Sequence, residues 1–118
     1  GVLLKDAKIL LLGITFKENC PDIRNTKIVD IYSTLSEYTK NIAVYDPWAD
    51  PAKVYHEYGI FLTENSLEEL RGEFDVVVLG VAHDTFKNEN IRSFLKNMDG
   101  VVYDVKGILD REIIDGRL

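Results

Sequence analysis

Two short apolar runs constrain the fold of this chain more than any other feature of its sequence. The first is ILLL at Ile9–Leu12, which ends at Gly13, and the second is FDVVVLGV at Phe74–Val81. Near-continuous apolar runs of this length are typical of parallel β-strands that are covered on both faces. The sequence therefore predicts a sheet that is buried between two layers.

Weaker strand and helix signals alternate with these runs. Further strands are predicted at Asn41–Tyr45, Ile60–Leu62 and Gly100–Val105, and helices at Thr26–Thr39, Pro51–Tyr58, Ser66–Leu70 and Glu89–Asn97. Alternating strands and helices predict βαβ units with right-handed crossovers. We therefore expect residues 1–118 to form one α/β domain, a three-layer α/β/α Rossmann-like domain with a mainly parallel sheet of about five strands.

Local signals support the predicted helices. Apolar residues at three- and four-residue spacing predict the buried stripe of the first helix, namely Ile28, Ile31, Leu35 and Tyr38. Asn25 or Thr26 can cap that helix, and Gly59 can end the second one. In the fourth, Ile91, Phe94 and Leu95 are expected to point inward.

Charge and composition exclude several classes of protein. A net charge of -6 argues against a nucleic-acid partner or an anionic membrane surface. No apolar run approaches the roughly 20 residues of a membrane-spanning helix. The single cysteine, Cys20, excludes an internal disulfide and fits a reducing cytoplasm. Because the chain starts at Gly1 and enters a strand almost at once, we expect it to be part of a longer protein.

The connection between the first strand and the first helix is the candidate working surface. It runs from Gly13 to Asn25, whereas such connections commonly need only about two to six residues. Its two cations, Lys17 and Arg24, lie between a strand's carboxyl end and a helix's amino end. In α/β folds this is where anionic ligands bind.

The same connection lacks the usual phosphate-binding glycines. The dinucleotide fingerprint needs G-x-G-x-x-G, but this turn reads GITFKE from Gly13, and the G-x-x-x-x-G-K-[ST] loop is also absent. A receiver-type domain would carry an acidic pair after its first strand, where this chain has Lys17. Side chains, rather than bare backbone, would therefore have to grip a ligand.

Phe16, Lys17 and Arg24 are suited to that task. An aromatic ring can cover a base or sugar, an ammonium can meet phosphate, and a guanidinium can present a planar fork to it. The alternative is that Phe16 packs in the core, that Lys17 is solvated, and that Arg24 only pairs with Asp22.

Other polar residues give weaker signals. Cys20 precedes a proline and has no neighbouring histidine, so the sequence does not support a nucleophile. His56 and His83 lack ligand spacing, which argues against a metal site. Asp46, followed by Pro47, is expected to form a turn rather than to bind a ribose.

Taken together, four segments resemble a known family pattern: LLGITFKENCPDIRNTKIVDI, IAVYDPWAD, VVVLGVAHDTF and VVYDVKGILD. They resemble the C-terminal, UDP-binding domain of the UDP-glucose/GDP-mannose dehydrogenase family. The form TFKENCPDIRNTK is most similar to the bacterial UDP-N-acetylhexosamine 6-dehydrogenases of Vi-type and O-antigen polysaccharide synthesis.

The resemblance implies a division of labour. An N-terminal Rossmann domain, outside this chain, would hold most of the NAD, and a central helical region would join the two domains and form a homodimer. Together they would oxidise the C6 alcohol of a UDP-sugar to a carboxylate, using two NAD. The catalytic cysteine would lie outside this chain, so the chain alone is expected to be inactive.

The resemblance also implies roles for individual residues. Phe16 and Lys17 match positions that contact the nucleotide-sugar, and Arg24 matches an arginine that reaches the NAD pyrophosphate. Lys106 falls near a basic position that contacts substrate, although other members have an arginine pair where this chain has Lys106-Gly107. No residue is expected to be catalytic or to bind a metal. The alternative from another class is a stand-alone regulatory or interaction module with the same fold.

Overall fold

The computed structural model describes residues 4–105 and 116–117 of the chain. In this part, the strands are β1 (Ile9–Leu12), β2 (Ile42–Tyr45), β3 (Val76–Leu79), β4 (Val101–Asp104) and β5 (Gly116–Arg117). They form one sheet in the order β2-β1-β3-β4-β5, and all neighbouring strands are parallel. The predicted α/β class with a parallel sheet is therefore confirmed.

Four α-helices and two 3-10 turns are described in the same residues. The helices are α1 (Ile28–Ser36), α2 (Pro51–Tyr58), α3 (Leu67–Leu70) and α4 (Asp84–Lys87), and the 3-10 turns are Leu4–Asp6 and Ile91–Phe94. The α2 bounds agree with the sequence prediction. Asp50 caps α2 by accepting the Ala52 amide at 2.9 Å, and Gly59 ends it with a φ of 70°.

The sheet separates two hydrophobic cores, which confirms the three-layer arrangement. Leu10 and Leu12 of β1 face one core, which also contains Phe86 and Phe94. The alternate residues of β1 face the other core, together with residues of α1 and α2. Phe86 and Phe94 are fully buried, and burial of such a side chain stabilises a fold by about 1.5–3 kcal/mol.

Helix α1 is shorter than predicted. It ends at Ser36, so Tyr38 lies beyond the helix and is 53% exposed, and its predicted place in the buried stripe is wrong. At the other end, the Thr26 hydroxyl accepts the Ile28 amide at 3.2 Å. Thr26 therefore supplies the side-chain contact that the sequence predicted for Asn25 or Thr26.

Two other predictions are corrected. The expected strand at Ile60–Leu62 is only a single bridge between Leu62 and Val44. The expected helix at Glu89–Asn97 is only a 3-10 turn at Ile91–Phe94, and α4, which the sequence did not predict, precedes it. Asn90 between them is extended (φ -79°, ψ 95°), because asparagine readily leaves helical geometry.

The strand order places a switch point between β1 and β3. The chain passes from β1 to β2 on one side of β1, and then returns to form β3 on the other side of β1. In a parallel sheet this reversal opens a crevice at the carboxyl ends of β1 and β3. Gly13 follows β1 with a φ of +93°, and a Cβ there would lie 2.6 Å from the Cβ of Val81. A glycine is therefore required for the two strand ends to approach each other.

Candidate binding site at the carboxyl edge of the sheet

The β1 loop, defined here as residues 13–27, emerges at this switch point. The Phe16 amide donates to the Asp22 carbonyl at 2.7 Å and closes the projecting part of the loop. Phe16 is 51% exposed and Lys17 is also exposed, and Lys17 forms no ion pair with any described residue. Phe16 is therefore not a core residue, and the segment that was predicted to bind ligand faces outward.

Asp46, directly after β2, holds the start of the β1 loop. Its Oδ2 accepts the amides of Ile14 at 2.7 Å and Thr15 at 3.1 Å. Its Oδ1 accepts the amides of Trp48 at 2.8 Å and Ala49 at 3.2 Å, which makes the turn that the sequence predicted. Because Asp46 follows β2 and accepts amides of residues that follow β1, its carboxylate joins the carboxyl ends of these two strands.

The electrostatics of Asp46 favour its ionised form. Burial raises the pKa of this carboxyl group. Hydrogen bonds from His83 and from the amides of Ile14 and Trp48 outweigh burial, so the pKa of Asp46 lies below its usual range. The Asp46 side chain is completely buried, and its carboxylate is compensated by donors rather than by water.

His83 follows β3 and is completely buried. Its Nδ1 accepts the Asn19 amide at 2.9 Å, and its Nε2 lies 3.0 Å from Asp46 Oδ2. The Trp48 ring stacks beside the imidazole with centroids 6.3 Å apart, and the Phe86 ring lies 5.6 Å away. The buried Asp46–His83 pair therefore joins the carboxyl ends of β1, β2 and β3.

Arg24 forms the local pair that the sequence left as an alternative. Its Nε and Nη2 each donate to the Asp22 carboxylate at 3.1 Å, while 82% of the Arg24 side chain is exposed. The side-chain hydrogen bond from Arg24 lowers the pKa of Asp22 to about 2. The same hydrogen bond raises the pKa of Arg24. The guanidinium is thus oriented by Asp22 and open to solvent.

The structure brings three of the four predicted site residues onto one loop. Phe16, Lys17 and Arg24 all belong to the β1 loop, whereas Lys106 lies outside the described residues. Cys20 is half-buried. Within residues 4–105 and 116–117, no three histidine, cysteine or acidic side chains form a potential metal site. None of the helices described is long and apolar enough to cross a membrane.

The sequence analysis missed the pairing of Asp46 with His83. A signal was present, because each residue follows an apolar strand closely, Asp46 after IAVY and His83 after VVVLGVA. Polar residues at the ends of neighbouring parallel strands meet at one edge of the sheet. The strand order was needed to show that these two ends are close.

A doubly wound parallel sheet, with an ordered polar loop at its switch point, defines a ligand-binding α/β domain. Residues 10–111 match the model of the UDP-glucose/GDP-mannose dehydrogenase family, UDP binding domain. Since the match covers most of the chain, the chain belongs to this family.

Named relatives agree with this assignment. A UDP-N-acetyl-D-glucosamine 6-dehydrogenase of Pseudomonas aeruginosa is 47% identical over 115 residues, 95% of this chain and 26% of that protein. Its Salmonella typhi counterpart is 40% identical over 121 residues, 100% of this chain and 28% of that protein. The chain therefore spans about a quarter of the length of these relatives.

Solved structures support the fold. The NDP-N-acetyl-D-galactosaminuronic acid dehydrogenase of Methanosarcina mazei Go1 has a TM-score of 0.78 with this chain. That alignment covers 98% of this chain and 25% of the other, at 18% identity. At this identity the likeness concerns the fold.

Proposed function

We propose that this domain binds the nucleotide part of a UDP-sugar through Phe16 and Lys17. The observation that carries the proposal is the exposure of both residues on a closed, hydrogen-bonded loop at the switch point between β1 and β3. Phe16 would cover the base or sugar, and the Lys17 ammonium would neutralise diphosphate charge. Lys106, which follows β4 in the sequence, is proposed as a further substrate contact.

We further propose that the whole protein is an NAD-dependent UDP-sugar 6-dehydrogenase for surface polysaccharide synthesis. The names of the Pseudomonas and Salmonella relatives support UDP-N-acetylglucosamine as the first substrate to test, with UDP-glucose second. Oxidation of the C6 alcohol to a carboxylate removes four electrons and adds a water oxygen, so two NAD are reduced. We assign the chemical step to parts of the enzyme outside this chain.

This chain offers few groups that could contact NAD. Thr15 and Glu18 stand where the second and third glycines of the fingerprint would let backbone approach a pyrophosphate, so most of the NAD contacts would come from another domain. Arg24 is exposed and already oriented by Asp22, and we propose that it contributes one contact to the NAD pyrophosphate. A homodimer formed by a central helical region, in the cytoplasm, completes the proposal.

The test is steady-state kinetics of the full-length protein, with NADH absorbance as the readout. Lys17→Ala should raise the KM for UDP-N-acetylglucosamine about ten-fold or more, with a smaller effect on kcat, because a charge-assisted contact is worth about 1.5–3 kcal/mol. Arg24→Gln should mainly raise the KM for NAD. Lys53→Ala, at an exposed position of α2, is the matched control and should leave both KM values unchanged.

Two results would contradict the proposal. Unchanged KM for every UDP-sugar tested in both Phe16→Ala and Lys17→Ala would remove the assigned binding segment. Reduction of NAD by residues 1–118 alone would overturn the assignment of chemistry to other domains. A stand-alone regulatory module would instead show no dehydrogenase activity in the full-length protein, and its gene would encode no glycine-rich NAD domain upstream.

A further inference from the structure

We infer that Asp46 and His83 form a positioning pair that fixes the shape of the β1 loop for ligand binding. Both side chains are buried, so neither can be a direct ligand contact. They hold the loop on both sides of Phe16 and Lys17. The inference rests on the proposed function for its ligand, but the contacts that define it are independent of any ligand.

The first set of contacts holds the amino-terminal end of the β1 loop. Asp46 Oδ2 accepts the Ile14 and Thr15 amides, the two residues directly before Phe16. Thr15 is also fully buried, and its hydroxyl donates to the Lys17 carbonyl at 3.0 Å. The backbone that carries Phe16 and Lys17 is therefore set from its amino-terminal side.

The second set of contacts holds Asn19, two residues after Lys17. His83 Nδ1 accepts the Asn19 amide, and the Asn19 side-chain oxygen accepts the Asp84 amide at 3.0 Å. Asn19 has a φ of 55°, a conformation that non-glycine residues adopt rarely and that these two bonds hold in place. The segment that follows β3 thus holds the β1 loop on the carboxyl-terminal side of Lys17.

One tautomer of His83 satisfies all of these contacts. Because Nδ1 accepts a backbone N–H, the ring proton must reside on Nε2. That Nε2–H donates toward Asp46 Oδ2, with the Thr15 hydroxyl oxygen 3.2 Å away. The Thr15 hydroxyl proton is directed to the Lys17 carbonyl, so its oxygen remains free to accept. The neutral imidazole is therefore a two-ended connector between the β2 end and the β1 loop.

The surroundings of His83 keep these bonds from exchanging with water. Trp48 stacks on one side of the ring and Phe86 lies on another, so a lost bond could not be replaced by solvent. An apolar side chain of similar size would fill the same space but would leave the Asn19 amide and the Asp46 carboxylate without this partner. Loop geometry, rather than volume alone, is what His83 provides.

Preorganisation of the loop has an energetic consequence. A loop that is already ordered loses less conformational entropy when ligand binds, which increases affinity without a new contact. Removal of the His83–Asn19 bond should therefore weaken UDP-sugar binding about three- to ten-fold, a loss of the size expected for one hydrogen bond.

Two substitutions separate the two ends of the imidazole. In His83→Asn, the side-chain oxygen can take the place of Nδ1 and still accept the Asn19 amide, but contact with Asp46 is lost. In His83→Gln, the longer amide can reach the place of Nε2 and donate to Asp46, but the acceptor for Asn19 is lost. His56→Gln, at the exposed histidine of α2, is the control.

The measurements are the dissociation constant of UDP-N-acetylglucosamine for the full-length protein, hydrogen exchange in peptides covering residues 16–24, and free energy of unfolding. We expect faster exchange and about three- to ten-fold weaker binding in His83→Gln. In His83→Asn we expect near-native exchange and affinity, even if its free energy of unfolding falls more than that of His83→Gln. In the wild-type protein, 15N NMR should show an unprotonated Nδ1 and a protonated Nε2 for His83.

Three results would overturn the inference. One is native exchange and affinity in His83→Gln, another is loss of affinity that follows loss of stability equally in both variants, and the third is a protonated Nδ1 at His83 in the wild-type chain. If wild-type protein bound no UDP-sugar, the proposed function would fail. The exchange comparison and the NMR measurement would still decide whether His83 positions the loop.

Discussion

The Asn19 backbone amide donates to His83 Nδ1 at 2.9 Å across 64 positions of sequence. The bond joins the loop after β1 to the segment after β3, the two strands that border the switch point. Through Nε2, the same imidazole reaches Asp46 at the end of β2. The carboxyl edge of the sheet is therefore held together by side chains, at the place where many α/β domains rely on glycine-rich backbone.

Replacement of Asp46 by Asn should be strongly destabilising. An amide nitrogen would face backbone N–H donors that now meet a carboxylate oxygen, and at least one would lose its partner. We expect a fall in unfolding free energy of about 3 kcal/mol, measured by urea denaturation. Asp50→Asn is the control, because Asn caps a helix as well as Asp does, and a change there above about 0.5 kcal/mol would contradict this reasoning.

Acid should destabilise the domain partly through Asp46. Its pKa is lower in the folded chain than its ordinary value of about 3.9, so the stabilisation is complete above that pH. As pH falls toward the folded pKa, the stabilisation is lost. Thermal unfolding from about pH 7 to pH 2 should therefore show a smaller acid-induced loss in Asp46→Asn than in wild type. Parallel curves for the two proteins below pH 4 would contradict the assignment.

Replacement of Gly13 by Ala should separate the ends of β1 and β3. The new Cβ would lie 2.6 Å from the Cβ of Val81, at a φ of +93°. Steric overlap and strain together should cost about 3 kcal/mol or more of unfolding free energy. At Gly59, with a φ of +70° and no atom within 4 Å of an added Cβ, the same substitution should cost only about 1–2 kcal/mol. Equal losses at the two glycines would argue against close packing at the switch point.

Removal of the Arg24 guanidinium should be visible in the titration of Asp22. In wild type the pKa of Asp22 is about 2, mainly because of the side-chain hydrogen bond from Arg24. In Arg24→Gln the carboxyl 13C NMR titration should move upward, toward the model-peptide value of about 3.9. The Arg24 backbone amide still donates to Asp22, so the return should be incomplete. Lys27→Gln should leave the midpoint unchanged, and a similar shift there would point to general charge rather than to the Asp22–Arg24 pair.

Local sequence patterns determined most of the secondary structure. The apolar runs predicted β1 and β3, and Pro51 and Gly59 predicted both ends of α2, because helix ends and strand burial depend on nearby residues. Phe16 and Lys17 were also named from sequence as a candidate ligand-binding segment, with core packing of Phe16 left open, and the structure shows both side chains exposed. Tyr38 and the region around Asn90 were mispredicted, because a helix end depends on contacts that periodicity does not include.

Only the tertiary structure showed how the carboxyl edge is held. His83 lies 37 positions from Asp46 and 64 from Asn19, so no local spacing relates the three. Their contact follows from the strand order β2-β1-β3, which brings three strand ends together and buries the side chains between them. The sequence by itself determined β1, β3 and α2, and it marked the polar loop after β1 as a candidate site. The folded sheet decided which polar residues meet, because hydrogen bonds between distant residues require the backbone to be placed first.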